Sequence, residues 1–135
     1  NICSASDTDA IAIASGGDVT FSQTVTSNGY KMSSGGYTTI TGTSHTLAEA
    51  DDGKVLLFTN GDPITLTVPA GLTLGHSCTV IQQGAGQITF TPSSTTIRNR
   101  QSHTKTAGQY ARVGLFHYQE SSTSNFYNLG GDTAS

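Results

Sequence analysis

"KVLLFTNGDPITLTVPAGLTLGHSCTVIQQGAGQITFTP", residues 54–92, holds four short apolar phrases separated by turn residues. Ile64–Pro69 alternates cleanly, with Ile64, Leu66 and Val68 on one side and Thr65 and Thr67 on the other, the two-residue period of a half-buried strand. Residues 54–59 form a compact apolar run closed by Asn60, Gly61, Asp62 and Pro63, a cluster rich in turn formers. The spacing predicts a hairpin from these two phrases. A second hairpin is expected around Gly84, Ala85 and Gly86, with Ile88 and Phe90 facing the core and Cys78 alternating with Val80 as a small core residue. Leu72 and Leu74, in the loop between the hairpins, read as plugs for the end of a sandwich.

Downstream, "TTIRNRQ" (residues 95–101) reads as a short polar strand at an edge. "QYARVGLFHYQ" (109–119) is the longest strand candidate, and "NFYNLGG" is its hairpin partner across "ESSTS". Ala111, Val113 and Leu115 occupy one face of the long strand, and Tyr110, Phe116 and Tyr118 the other. Such a strand is central between layers or lies at a subunit contact. Upstream, "SHTLAEADDGK" (44–54) is the one stretch with helix formers. A single turn ending at Gly53 is expected there, with Ser44 or Thr46 as its cap. The chain therefore reads as all-β, with residues 44–135 forming a small antiparallel β-sandwich or jelly-roll-like domain.

Residues 1–43 differ: large apolar groups are fewer, and glycines come in pairs at 16–17 and 35–36. In "SGGDVTFSQTVTSNG", Val19, Phe21 and Val25 share one face that a lone strand cannot bury. This segment reads as an extended arm or shaft. Val19, Phe21 and Val25 are its candidate contacts with two further copies about a threefold axis; the competing arrangement is an edge strand folded back on the sandwich.

Composition narrows the function. Of the 135 residues only 11% are charged, against about 25% in ordinary globular chains, and Ser, Thr, Gly and Asn fill the difference. A net charge of −3 gives no reason to expect nucleic acid as a partner. No run approaches the roughly 18 apolar residues of a membrane span. The chain opens on Asn1 rather than Met, as a fragment or processed product does, and shows no apolar run after basic residues like that of a signal peptide. Arg98, Arg100, Lys105 and Arg112 lie close in sequence and read as a solvated face or as a patch for acidic glycans.

Chemical motifs are weak. Asp51 and Asp52 follow Glu49 before a turn glycine, which suits a solvated turn better than paired-carboxylate catalysis. Asp7 and Asp9 open like a calcium loop that lacks its later ligands. The histidines His45, His76, His103 and His117 are scattered without ligand spacing and read as surface imidazoles beside turns. Cys3 and Cys78 fit neither a disulfide framework nor a zinc site. No catalytic residue, metal or cofactor is expected. Tyr118 and Tyr127, with Arg98 and Arg100, are the surface-binding candidates, although aromatic residues in the terminal hairpin also suit a core or subunit contact.

These residues carry a resemblance. The ordered set "AEADDGK", "VPAGL", "GHSCTV", "GAGQITF", "GQYARVGLF" and a closing "NFYNLGGD" is similar to a compact C-terminal domain of bacteriophage virion appendages, especially tail fibres, over residues 46–132. "DTDAIAIASGGDVTFSQTVTSNG" resembles the fibre-shaft phrases that precede such domains. The resemblance implies a non-enzymatic structural protein on the surface of a virion, made in the bacterial cytoplasm. Its partners would be two sister copies in a homotrimer, other virion proteins, and a host surface glycan or protein. A capsid decoration or head-fibre protein is the first alternative, and a free carbohydrate-binding module the second.

Overall fold

The computed structural model describes residues 36–121 and 124–135 throughout, and before them the backbone of four two-residue strands. The chain divides into two units, Asn1–Ser33 and Ser34–Ser135. In the first, β1 (Ala12–Ile13) pairs antiparallel with β2 (Val19–Thr20), and β3 (Thr26–Ser27) with β4 (Tyr30–Lys31). The side chain of Val19, together with Phe21 and Val25, lies outside the described residues.

The second unit is all-β apart from one 3-10 turn, Glu49–Asp51. Its strands are β5 (Tyr37–Ile40), β6 (Ser44–Thr46), β7 (Val55–Phe58), β8 (Ile64–Pro69), β9 (Ser77–Gln82), β10 (Ile88–Ser93), β11 (Thr95–Arg98), β12 (Lys105–Thr106), β13 (Arg112–Glu120), β14 (Asn125–Gly131) and β15 (Thr133–Ala134). They form a six-stranded sheet, β11-β14-β13-β9-β7-β5, and a five-stranded sheet, β15-β12-β10-β8-β6. One apolar cluster joins them, with Leu56, Phe58, Val80, Val113, Leu115 and Leu129 from the first meeting Ile64, Leu66, Val68, Ile88 and Phe90 from the second. Ile40 is buried in this cluster and β5 pairs with β7, so residues 37–40 fold with the C-terminal unit.

Both sheets are mixed, not antiparallel, and neither of the first two expected hairpins forms. The chain crosses to the other sheet after every strand from β5 to β10. β7 therefore lies parallel to β9, and β8 parallel to β10. Val55 stands beside Thr79 and Ile64 beside Ile88, so both sheets advance by 24 residues per coil. β5 and β6 make an earlier coil in the same sense, parallel to β7 and β8. This is a short solenoid, in which each coil buries its apolar side chains face to face across the core instead of side by side in one sheet.

The corners explain the turn residues. The Phe58 carbonyl accepts N–H bonds from both Gln83 (2.8 Å) and Gly84 (3.0 Å), and the Asn60 carbonyl accepts one from Gly86 (3.1 Å). Residues 83–87 thus sit directly on residues 59–63. A Cβ on Gly84 would overlap the Asn60 carbonyl oxygen, and one on Gly86 the Asp62 carbonyl oxygen. Asn60 extends the stack the other way: its amide donates to the Thr41 carbonyl at 2.7 Å while its Oδ1 accepts from Asp62 N–H at 2.8 Å. Gln82 replaces Phe58 at the inward position of the next coil. Its buried amide donates to the Gly84 and Ala85 carbonyls and accepts the Thr106 hydroxyl at 2.5 Å.

The antiparallel hairpin β13–β14 matches the sequence reading and closes the stack, with β13 running against β9 and β12 against β10. "KTAGQYA" seals the last corner. Tyr110 N–H donates to the Gln82 carbonyl (2.6 Å), Gln82 N–H to Ala111 (3.1 Å), and the Gln109 amide to Gln83 (3.0 Å). β11 forms the outer edge beside β14, as its polar sequence suggests. Leu72 is buried, but Leu74 is 53% exposed and plugs nothing.

Corner stacking predicts a sharp asymmetry between neighbouring glycines. Gly84→Ala forces two backbone segments apart and should lower stability by about 3 kcal/mol, at the upper end of overpacking costs. Gly61→Ala, where nothing lies within 4 Å of the new Cβ, should stay within about 0.5 kcal/mol of the parent. Urea unfolding midpoints of the two variants check this.

Candidate functional site

The two sheets present very different outer faces. On the five-stranded sheet, in-register pairing sets Ser44 beside Thr65 and Thr65 beside Thr89, with Thr46, Thr67 and Thr91 as the next row. That face is a ladder of hydroxyls. On the six-stranded sheet, β7 turns Val55 and Leu57 outward, β9 turns Thr79 and Ile81, and β13 turns Arg112, Gly114, Phe116 and Tyr118. Phe116 is 47% exposed and Tyr118 39%. Beside them, Arg98 places its guanidinium 4.9 Å from the Phe126 ring centre, a cation–π contact on the same face.

A shallow groove of about 370 Å³ runs across this face. Gly114 and Gly130, directly opposite one another on β13 and β14, form part of its floor. Phe116, Asn128, Ser77, Thr79 and Lys54 border it. Lys54 has no ion-pair partner among the described residues.

The acidic and imidazole groups have other work. Glu49 and Ala50 are exposed on a turn, as expected, but Asp51 is buried, and all three acids fasten the loops on the side of the solenoid opposite the corners. Asp51 is buried, accepts Ala48 N–H at 3.0 Å and meets His45 Nε2 at 2.9 Å. Asp52 accepts Ser77 N–H at 3.0 Å, and Glu49 accepts Thr73 N–H. His76 and His117 are not surface imidazoles but are buried in the same ladder. His76 Nε2 lies 3.0 Å from the Ala48 carbonyl, and His117 Nδ1 3.1 Å from the Thr73 carbonyl. His76 ties its loop to the loop of the coil below, and His117 ties strand β13 to the loop at Thr73. Among the described residues no His, Cys, Asp and Glu side chains gather in a group able to hold a metal ion.

The sequence-predicted site residues separate. Tyr118 and Arg98 lie on the outer face of the six-stranded sheet, and Arg100 is exposed in the turn after β11. Tyr127 is a core residue instead: it is fully buried, stacks on His117 with ring centres 4.5 Å apart, and donates its hydroxyl to the Pro69 carbonyl at 3.3 Å. Asn128 and the glycine pair are the residues the sequence reading passed over; Phe116 was placed on the outer face of its strand but not among the binding candidates. Their signal was the alternation Arg112, Gly114, Phe116, Tyr118, which fixes one outward face.

Burial pushes the Cys78 thiol up from 9.0 to about 12, with Asp51 and Asp52 adding to the effect. The Tyr127 hydroxyl is likewise pushed up from 10.0 to about 12 by burial, then by Glu49 and Glu120. Comparison with protein-family models gives no match, and comparison with curated proteins gives none either.

Both raised groups make the fold sensitive to alkali. In the folded chain they keep their protons to higher pH than in the unfolded chain, so stability is fully present below pH 9 and falls as pH rises toward 12. Each group should contribute a loss that builds through its own window, from pH 9 for Cys78 and from pH 10 for Tyr127. Cys78→Ala should remove the part of the loss that begins at pH 9 and keep the part that begins at pH 10. Urea midpoints measured against pH test this.

Proposed function

We propose that this chain is a non-enzymatic structural piece of a bacteriophage appendage, a homotrimer in which Ser34–Ser135 forms the far end of a β-structured fibre. The observation that carries the reading is the polarity of the solenoid. The parallel coils give way at one side to the β12–β15 strands, with β11 and β15 as edges, and at the other side β5 and β6 of the first coil are the edges of the two sheets, each paired on one side only among the described residues. Unpaired parallel edges invite further strands unless something covers them. A module built this way suits a longer β structure that stacks a preceding coil on the parallel β5/β6 edge.

The ordered motifs of residues 46–132 support the same reading through their resemblance to fibre-tip domains. The work is mechanical and adhesive. Two hydrogen-bonded sheets around one core resist shear, and their neutral hydroxyl-rich surface stays soluble without large net charge. In this reading residues 1–33 join the sister copies and other virion proteins, and the C-terminal unit stands at the particle surface, where a host glycan or protein is within reach.

Sedimentation equilibrium of the full chain tests the assembly. The expected mass is three times the chain's 14.0 kDa, unchanged on dilution into the low micromolar range. A single species at the monomer mass would contradict the proposal.

A further inference from the structure

We infer that the groove floored by Gly114 and Gly130 is a saccharide-binding site, with Phe116 as its stacking platform. The first argument is that the fold does not require these glycines. Neither has a positive φ, and a Cβ would come no nearer than 3.9 Å to any atom at Gly114 and 3.7 Å at Gly130. Gly131 next door shows the contrast: its φ is +116° and a Cβ there would overlap the Arg112 carbonyl oxygen. Glycine inside a strand costs stability and supplies no packing surface. Two glycines set opposite each other on an open face therefore keep the sheet bare for something that approaches the backbone from outside.

The surroundings identify what approaches. One side of the groove is the half-exposed Phe116 ring, and the opposite sheet of the molecule shows no exposed aromatic platform at all among its described strand residues. The rest of the border is mixed: Val55 stands among the Asn128 amide, the Ser77 and Thr79 hydroxyls and the Lys54 ammonium. A pyranose ring combines an apolar C–H face, which seats on the negative face of an aromatic ring, with a hydroxyl edge that pairs with amides and hydroxyls. A groove of about 370 Å³ is at the small end of ligand-site volumes and fits one or two sugar units. A second copy of the chain fits less well, because Lys54, Ser77 and Thr79 border the groove and lysine and serine are depleted at protein interfaces. This assignment extends the appendage reading by naming a class of partner, but it rests on the sheet face and not on the oligomeric state.

The test is a titration of the ¹⁵N-labelled full chain with maltotriose, chitotriose and trigalacturonate at millimolar concentration. At least one of the three should shift the amides of Gly114, Phe116, Asn128 and Gly130 in a saturable way. Phe116→Ala should weaken that binding at least tenfold. Gly114→Val should abolish it while leaving the melting temperature unchanged or higher, because the new side chain fills the groove and favours the strand. Three results would overturn the assignment: no shift at the groove with any of the probes, binding that survives both substitutions, or unfolding by Gly114→Val. A lower sedimentation mass in Phe116→Ala would also overturn it, since the face would then be a contact between copies. The mass of the unsubstituted chain tests the appendage reading separately.

Discussion

The close contact between successive corners sets the geometry of the C-terminal unit. One backbone carbonyl, that of Phe58, holds two N–H groups of the next coil, and the carbonyl oxygens of Asn60 and Asp62 press where Gly84 and Gly86 have no side chain. This approach fixes the vertical spacing of the coils at the corner. The spacing in turn lets β7 pair with β9 and β8 with β10 in register over their full length. Inward side chains then meet across the core without any strand from β5 to β10 needing its sequence neighbour as a sheet neighbour.

The opposite end of the solenoid solves the same problem with side chains. Its connections are longer, and their backbone groups need partners that the ladder does not provide. Glu49, Asp51 and Asp52 accept N–H groups, and the His76 and His117 rings meet carbonyl oxygens. These five titratable groups are thus engaged in holding the loops. The outer face of the six-stranded sheet brings aromatic, amide and cationic groups together around one groove. The hydroxyl ladder on the other sheet offers no comparable variety.

Much of this was legible in the sequence. The two-residue alternation of Ile64–Pro69 and of residues 111–117 fixed which side chains face inward, and Asn60 to Pro63 and Gly84 to Gly86 were recognisable as turns. What alternation does not encode is which strand lies next to which. Leu56 and Phe58 can be buried equally well by a hairpin partner's sheet or across a sandwich, so two hairpins were expected where two arches stand. The clue lay in spacing: Ile64-Thr65-Leu66-Thr67 recurs 24 residues later as Ile88-Thr89-Phe90-Thr91. The site was harder to read for a related reason. Tyr118 and Tyr127 look alike as aromatic residues of one hairpin, but Tyr127 stands opposite the buried His117 while Tyr118 follows it on the outward side. Burial of His76 and His117 was equally hidden, because their carbonyl partners come from loops 28 and 44 residues away.

The account rests on parallel coils rather than hairpins, and nuclear Overhauser contacts between backbone protons decide that most directly. Parallel pairing predicts inter-strand contacts from Leu56 to Val80 and from Leu66 to Phe90, without close Hα–Hα pairs between β7 and β8. Strong Hα–Hα contacts linking residues 55–58 to residues 64–69 across the Asn60 turn would contradict it.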